Sequence, residues 1–279
     1  MKIHFLTRSG PHLASFRLRT QFAADALRAA GHDVRVGPNW APADIHVFSK
    51  HWDAGEFELA RRSPCAVYDV CDEHFTSTPA AIAAYPWIRE HYHRMCEVAR
   101  VVTTGSEALA QVIREKTGRG AVVLEEPPEG PELPPKFDLP PKLLWFGHRA
   151  NLKHLVELGI ECAVVTNPQW TPQLQAEALR ECDLVLLPQK DKWKSANRAV
   201  AALRAGRYAV ADPVQSYEGL CWTGGVLEGI EWVKSNPGSI IERILKSQEL
   251  IRERFSPKRL ARQWCDCILA VAESTSQVS

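Results

Sequence analysis

"EEPPEGPELPPKFDLPPK", residues 125–142, carries seven prolines in eighteen positions, and it divides everything around it. Proline lacks an amide hydrogen and fixes φ, so this density is incompatible with a helix interior or a central strand. The stretch reads as a stiff, extended connector, with the linker proper over 127–141.

Short β-rich runs alternate with helical patterns on its amino-terminal side. The runs are "KIHFLT" (2–7), "DVRVG" (33–37), "DIHVFS" (44–49), "CAVYDV" (65–70), "RVVTTG" (100–105) and "AVVLEE" (121–126). Between them lie "SFRLRTQFAADALRAAGH" and "SEALAQVIREKTG", both with apolar residues at helical spacing and a closing glycine. Ser106 is the expected N-cap of the second and Gly118 its stop. The alternation restarts beyond the linker with "KLLWFG" (142–147), "ECAVVT" (161–166), "CDLVLLP" (182–188) and "RYAVAD" (207–212). A helical tail from about 237 includes a helix announced by Ser256 and Pro257. Repeated strand–helix–strand units require parallel sheets covered on both faces. The expected fold is therefore α/β: two Rossmann-like, doubly wound parallel-sheet domains, over 1–126 and 142–260, followed by a helix over 261–279.

A chain of 279 residues is long enough for two modest domains. Its formal net charge of +1 supplies no bulk attraction to nucleic acid or an anionic membrane. Eight cysteines form no CxxC pair or Cys/His knuckle, so neither a disulfide scaffold nor a zinc site is expected. The opening "MKIHFLT" has no long apolar stretch of the signal-peptide kind, and no run approaches the length needed to span a bilayer. A soluble protein of the cytoplasm, at most peripheral to the membrane, is the expectation.

Ligands of open parallel sheets bind beyond the carboxyl ends of the strands, so the loops there are the candidates. The first, "TRSGPHLASFRLR" (7–19), offers Gly10 for close backbone approach, with Arg17 and Arg19 on the helix that follows; an ordinary turn with solvated arginines is the alternative. The second, "YDVCDEHF" (68–75), places Asp72 and His74 where a carboxylate and an imidazole can orient hydroxyls or handle a proton. Asp69, inside the strand pattern, could instead cap a neighbouring helix. The third, "FGHRANLKHL" (146–155), joins Gly147 to Arg149 and Lys153, which share a face if the segment is helical. The fourth is "KSANRAVAALRAGRYAV" (194–210). Ser195 as N-cap would leave the N–H groups of residues 196–198 outward, with Lys194, Asn197 and Arg198 beside them, as an anion site. Arg198 in a first turn opposes the helix dipole unless an anion compensates it. Trp145 and Trp264 read as core, whereas Trp87 and Tyr92 are candidates to shape an acceptor cleft. Serine-hydrolase, zincin and P-loop motifs are absent.

The order and spacing of "LLWFGHRANL", "CDLVLLP", "KSANRAVAALRAGRYAV" and "RERFSPKRLARQW" resemble the GT-B glycosyltransferases, particularly the retaining group called family 4. The resemblance covers nearly the whole chain. It implies two Rossmann-like domains facing a central cleft, with the final helix packing back on the first domain. It implies a nucleotide-diphosphate sugar donor held mainly by the carboxy-terminal half, with no metal and no further cofactor. Gly10, Gly147, Arg149, Lys153, Lys194, Ser195, Asn197 and Arg198 then fall to the donor, and Asp72 and His74 to catalysis. The acceptor stays open among glycan, lipid, protein, small molecule and modified DNA. One departure stands out. The family's two glutamates, eight positions apart, fall here on Trp193 and Ala201, which suits a weakly catalytic sugar-nucleotide-binding protein as the alternative reading. A Rossmann oxidoreductase or epimerase lacks its GxGxxG.

Overall fold

The computed structural model describes residues 1–50, 55–76 and 86–276, with side chains of the last helix described to Glu273. Ten strands and ten α-helices form two compact units among these residues. One unit comprises residues 1–126 together with 257–279, the other residues 127–256.

The first unit holds β1 (Lys2–Leu6), β2 (Asp33–Gly37), β3 (Ile45–Ser49), β4 (Ala66–Val70), β5 (Val101–Thr104) and β6 (Ala121–Val123). They pair in parallel in the order β2-β1-β3-β4-β5-β6. The helices are α1 (Phe22–Ala29), α2 (Glu56–Arg62), α3 (Ile88–Val98), α4 (Glu107–Thr117) and, at the end of the chain, α10 (Pro257–Ser276). Alternation along β1 sends Ile3 and Phe5 to one face, where they meet Ala23, Ala24 and Leu27 of α1. Trp264, Ile268 and Val271, at helical spacing on α10, close the same core. Burial of this stripe explains why a helix at the end of the sequence belongs to the first unit.

One helix departs from expectation. The pattern that reads as a single helix before Gly31 begins with a π-helical turn, Phe16–Gln21, before α1 takes over. The α4 helix instead follows local capping chemistry. The Ser106 hydroxyl accepts from the Leu109 N–H at 3.2 Å, and Gly118 ends the helix at φ 72°. Ser106→Ala is expected to cost about 1 kcal/mol, read as a lowered denaturant midpoint at unchanged slope.

The second unit has β7 (Leu143–Gly147), β8 (Ala163–Thr166), β9 (Leu184–Leu187) and β10 (Tyr208–Ala211), parallel in the order β10-β9-β7-β8. Its helices are α5 (Leu152–Val156), α6 (Pro172–Glu181), α7 (Asn197–Arg204), α8 (Val226–Ser235) and α9 (Ile240–Arg254). The Pro-rich segment, expected as a free-standing link, is built into this unit. The Leu133 N–H donates to the Arg204 carbonyl and the Lys136 N–H to the Gly206 carbonyl, both at 2.9 Å. Gln248 of α9 donates its amide to the Leu133 carbonyl at 2.9 Å, and Lys136 pairs with Asp183 at 2.8 Å. Prolines free a chain of internal hydrogen bonds, so those of their neighbours are satisfied by the unit alongside.

Among the described residues no helix is long and apolar enough to cross a membrane.

Candidate functional site

Strand succession reverses direction once in each sheet, between β1 and β3 in the first and between β7 and β9 in the second. Crevices at such switch points, beyond the carboxyl ends of the strands, are where open α/β sheets take ligands.

At the carboxyl edge of the first sheet, Ser49, Asp69 and Thr103 are register neighbours on β3, β4 and β5. Ser49 Oγ donates to Asp69 at 3.1 Å and Thr103 Oγ1 at 2.8 Å. The Arg19 guanidinium forks onto the same carboxylate, Nε at 3.0 Å and Nη2 at 2.5 Å, while its Nη1 donates to the Leu124 carbonyl at 2.6 Å. Arg19 and Asp69 side chains are each only 1% exposed. Arg19 is therefore not a solvated arginine, and Asp69 is not a helix cap. Together they lock the π-helical turn to three strand ends. Burial works against the charge of Asp69, yet Arg19 and its other hydrogen bonds hold the carboxyl below its usual range.

The loop after β4 is shaped by that lock. Asp72 pairs with Lys50, the residue after β3, at 2.5 Å. Burial opposes the Lys50 charge, but Asp72 beside it pushes the ammonium up to about 12. Lys50 itself sits at φ 47°, a left-handed conformation unusual for lysine. His74 is buried edge-on against Tyr92, their ring centroids 5.2 Å apart. Tyr92, a candidate for an acceptor cleft, is itself core, packed T-shaped on Tyr68; Trp87 lies half-buried against His91. Gly10 lies in the loop after β1, where its carbonyl accepts from the Leu13 N–H at 3.0 Å. A Cβ on it would meet the His12 ring at 3.2 Å.

At the second switch point, β7 and β9 register only at Leu143↔Leu184 and Leu144↔Val185, although both strands run on. The ladder ends before the carboxyl edge. Gly147 ends β7, and Gln189 follows β9 after Pro188. Arg198 of α7 reaches between them: its Nη2 donates to Gln189 Oε1 at 2.5 Å, and its Nη1 would lie 3.3 Å from a Cβ placed on Gly147. The Gln189 N–H is fixed in turn by Asp212 at 2.9 Å.

The remaining candidates distribute around this point. Arg149 opens a 3₁₀ turn, Arg149–Asn151, that gives way to α5, so it shares no continuous α-helix with Lys153; both side chains are exposed. The Arg149 N–H donates to Asn167 Oδ1 at 3.0 Å. Ser195 is not the cap of α7. That position belongs to Ala196, whose carbonyl accepts from the Val200 N–H at 2.9 Å and whose side chain makes no capping bond. The reason lies upstream, where the Lys194 carbonyl accepts from Ser216 Oγ at 2.7 Å and Ala196 is buried in the core. Pinning the backbone there delays the helix by one residue. Lys194 Nζ stands 3.9 Å from Asp191, and Asn197 begins the helix, half-buried. Among the described residues no group of three potential metal ligands comes together.

Two solved structures of Anabaena HepE, in complex with UDP and glucose and with UDP-glucose, match 97% of this chain and 100% of theirs. Their TM-scores are 0.67 and 0.65, at 14% identity. An alpha1,3-fucosyltransferase structure matches 98% of the chain and 90% of its own, with TM-score 0.53 and 8% identity. The chain has the GT-B fold. No protein-family model matches the sequence, and no curated protein does. Within the GT-B frame, the pairing of Arg19 with Asp69 and the part played by Gln189 are what sequence reasoning missed. Arg19 carries only a period signal, and Gln189 follows a strand without any motif. Ala201, where the family's second glutamate would fall, is buried in α7.

Proposed function

We propose that the chain is a glycosyltransferase that moves a sugar from a nucleotide-diphosphate donor to an acceptor. The observation that carries this reading is the second switch point: the strand ladder stops there, Gly147 ends β7, and the Arg198 guanidinium reaches it. The GT-B fold, and the UDP, glucose and UDP-glucose in the HepE structures, support a sugar nucleotide as the ligand.

Transfer breaks the bond between the anomeric carbon and the diphosphate oxygen, and the electron pair leaves with the diphosphate. The charge that builds there is met by Arg149, Lys153, Lys194, Arg198 and the first N–H groups of α7, fixed dipoles and cations that need no reorganisation and no metal. Asn197 and Ser195 supply neutral hydrogen bonds, and Gly147 lets the phosphates approach the backbone. In the first unit Gly10 serves the donor, and Asp72 and His74 position the transferred sugar or the acceptor. The Lys50 ion pair supports an orienting role for Asp72 over proton transfer. Retention of the anomeric configuration rests on the family 4 resemblance. Eight free cysteines fit a reducing, cytoplasmic setting.

UDP-glucose at about 100 times its dissociation constant is expected to add about 2.7 kcal/mol to the unfolding free energy. Arg198→Ala should weaken UDP binding by roughly ten- to a hundredfold, the worth of a charge-assisted hydrogen bond. A parent protein that shows no shift with any nucleotide sugar, or an Arg198→Ala protein that shifts as the parent does, would defeat the reading. The absence of the family's glutamates at Trp193 and Ala201 favours one second reading, a sugar-nucleotide-binding protein with weak turnover. Donor binding without release of free nucleoside diphosphate would select it.

A further inference from the structure

The second switch point holds a cation that the fold itself does not balance. Arg198 stands in the first turn of α7, beside the positive end of the helix dipole, and no carboxylate among the described residues pairs with it. Its polar partner is neutral: the Gln189 amide oxygen, 2.5 Å from Nη2. That contact also fixes which way the amide faces, because its nitrogen could not lie against the guanidinium. The Gln189 side chain is 97% buried, yet Nε2 has no hydrogen-bond partner, and neither does Arg198 Nη1. The Tyr217 phenol lies against the Arg198 guanidinium, close enough to interact with it. Gln189 Nε2 is thus a buried N–H donor left unsatisfied next to a cation that reaches Gly147, where the β7–β9 ladder has ended. Buried donors are nearly always paired, so their natural complement is a ligand with several acceptor oxygens and negative charge.

We propose that Gln189 is a donor-binding residue with two tasks: its oxygen positions Arg198 without neutralising it, and its Nε2 donates to the same diphosphate. This rests on the donor reading above and adds a reason for the residue type. Glutamate has nearly the same shape and would hold Arg198 at least as firmly. It would also cancel the charge, remove the second donor and set a carboxylate against the phosphates.

Calorimetric titration of the parent, Q189E and Gln189→Met with UDP, inorganic pyrophosphate and uridine tests this. Q189E is expected to melt no lower than the parent and to bind UDP and pyrophosphate about tenfold or more weakly, with uridine affinity unchanged. Gln189→Met, which leaves Arg198 unheld but uncancelled, should lose several-fold for UDP and serves as the reading should Q189E not fold. Equal UDP binding by the parent and both variants would overturn the role of Gln189 while leaving the donor reading standing. A matching loss for uridine would overturn it too, since a structural effect on the whole pocket would then suffice. Pyrophosphate binding weakened by Q189E, without any nucleotide binding, would uphold the anion site and sink the donor reading. A parent that binds none of the three would sink both.

Discussion

Arg19→Ala is expected to lower the unfolding free energy by about 3–5 kcal/mol, because it strands a buried carboxylate that has lost its counter-charge. Asp69 would keep Ser49 and Thr103 as donors, which cannot replace a guanidinium fork. Asp69→Asn should cost a similar amount by leaving Arg19 uncompensated. Replacing both, as Arg19→Met with Asp69→Leu, should recover much of the loss, since the desolvation penalty of the pair disappears with its attraction. Denaturant melts of the single and double variants check this; additive losses in the double variant would refute the coupling.

The pH dependence has a definite sign. The folded carboxyl of Asp69 is held below its ordinary value of 3.8, so its contribution is fully present above that value. It is lost as pH falls through the lower, folded-state pKa. Acid melts of the parent should therefore show a stability loss in that window that is missing from the apolar double variant. The same lock ties the π-helical turn to β3, β4 and β5; the Lys50 and Asp72 loops emerge from β3 and β4, and the Gly10 loop leads from β1 into that turn. Arg19→Ala should for that reason also reduce the proposed transfer activity at temperatures where the protein remains folded.

Gly206→Ala is the second large effect, about 2–5 kcal/mol. Gly206 follows α7 at φ 71°, a conformation that costs a residue with a Cβ roughly 1–2 kcal/mol. A Cβ there would also stand 2.2 Å from the Pro134 carbonyl oxygen, so backbone must move, at roughly 1–3 kcal/mol more. What moves is the Pro-rich segment, whose Lys136 N–H bonds to the Gly206 carbonyl. Amide exchange should accelerate at Leu133 and Lys136 beyond the global loss of stability. Gly31→Ala provides the matched control: φ is 87°, but nothing lies within 4 Å of the new Cβ. Only the conformational cost of about 1–2 kcal/mol is expected there. Equal losses at the two positions would show that the Pro134 contact is not tight.

The elements were legible because their signals are local. Each expected strand run contains one observed strand, from Lys2–Leu6 to Tyr208–Ala211, and the Ser106 and Gly118 caps stand where hydroxyl and glycine chemistry puts them. At the site, Gly147 and Arg198 were recognisable as strand-end and helix-start residues, and the structure brings them together. Ser195 misled because a good capping residue was outbid by contacts its sequence neighbourhood does not display: Ser216 holding the Lys194 carbonyl and Ala196 drawn into the core. The π-helical turn escaped notice since its apolar spacing differs little from that of an α-helix over one turn.

Hydrophobic period, turn residues and loop placement are written within windows of a dozen residues, and by themselves they determined two parallel α/β sheets and the edges where a ligand could bind. Partnership among buried polar groups is written nowhere locally. Arg19 finds Asp69 fifty positions away and the Leu124 carbonyl a hundred and five away. Only the assembled chain decides such pairings, because desolvation makes a buried charge or amide intolerable until a particular distant group arrives to satisfy it.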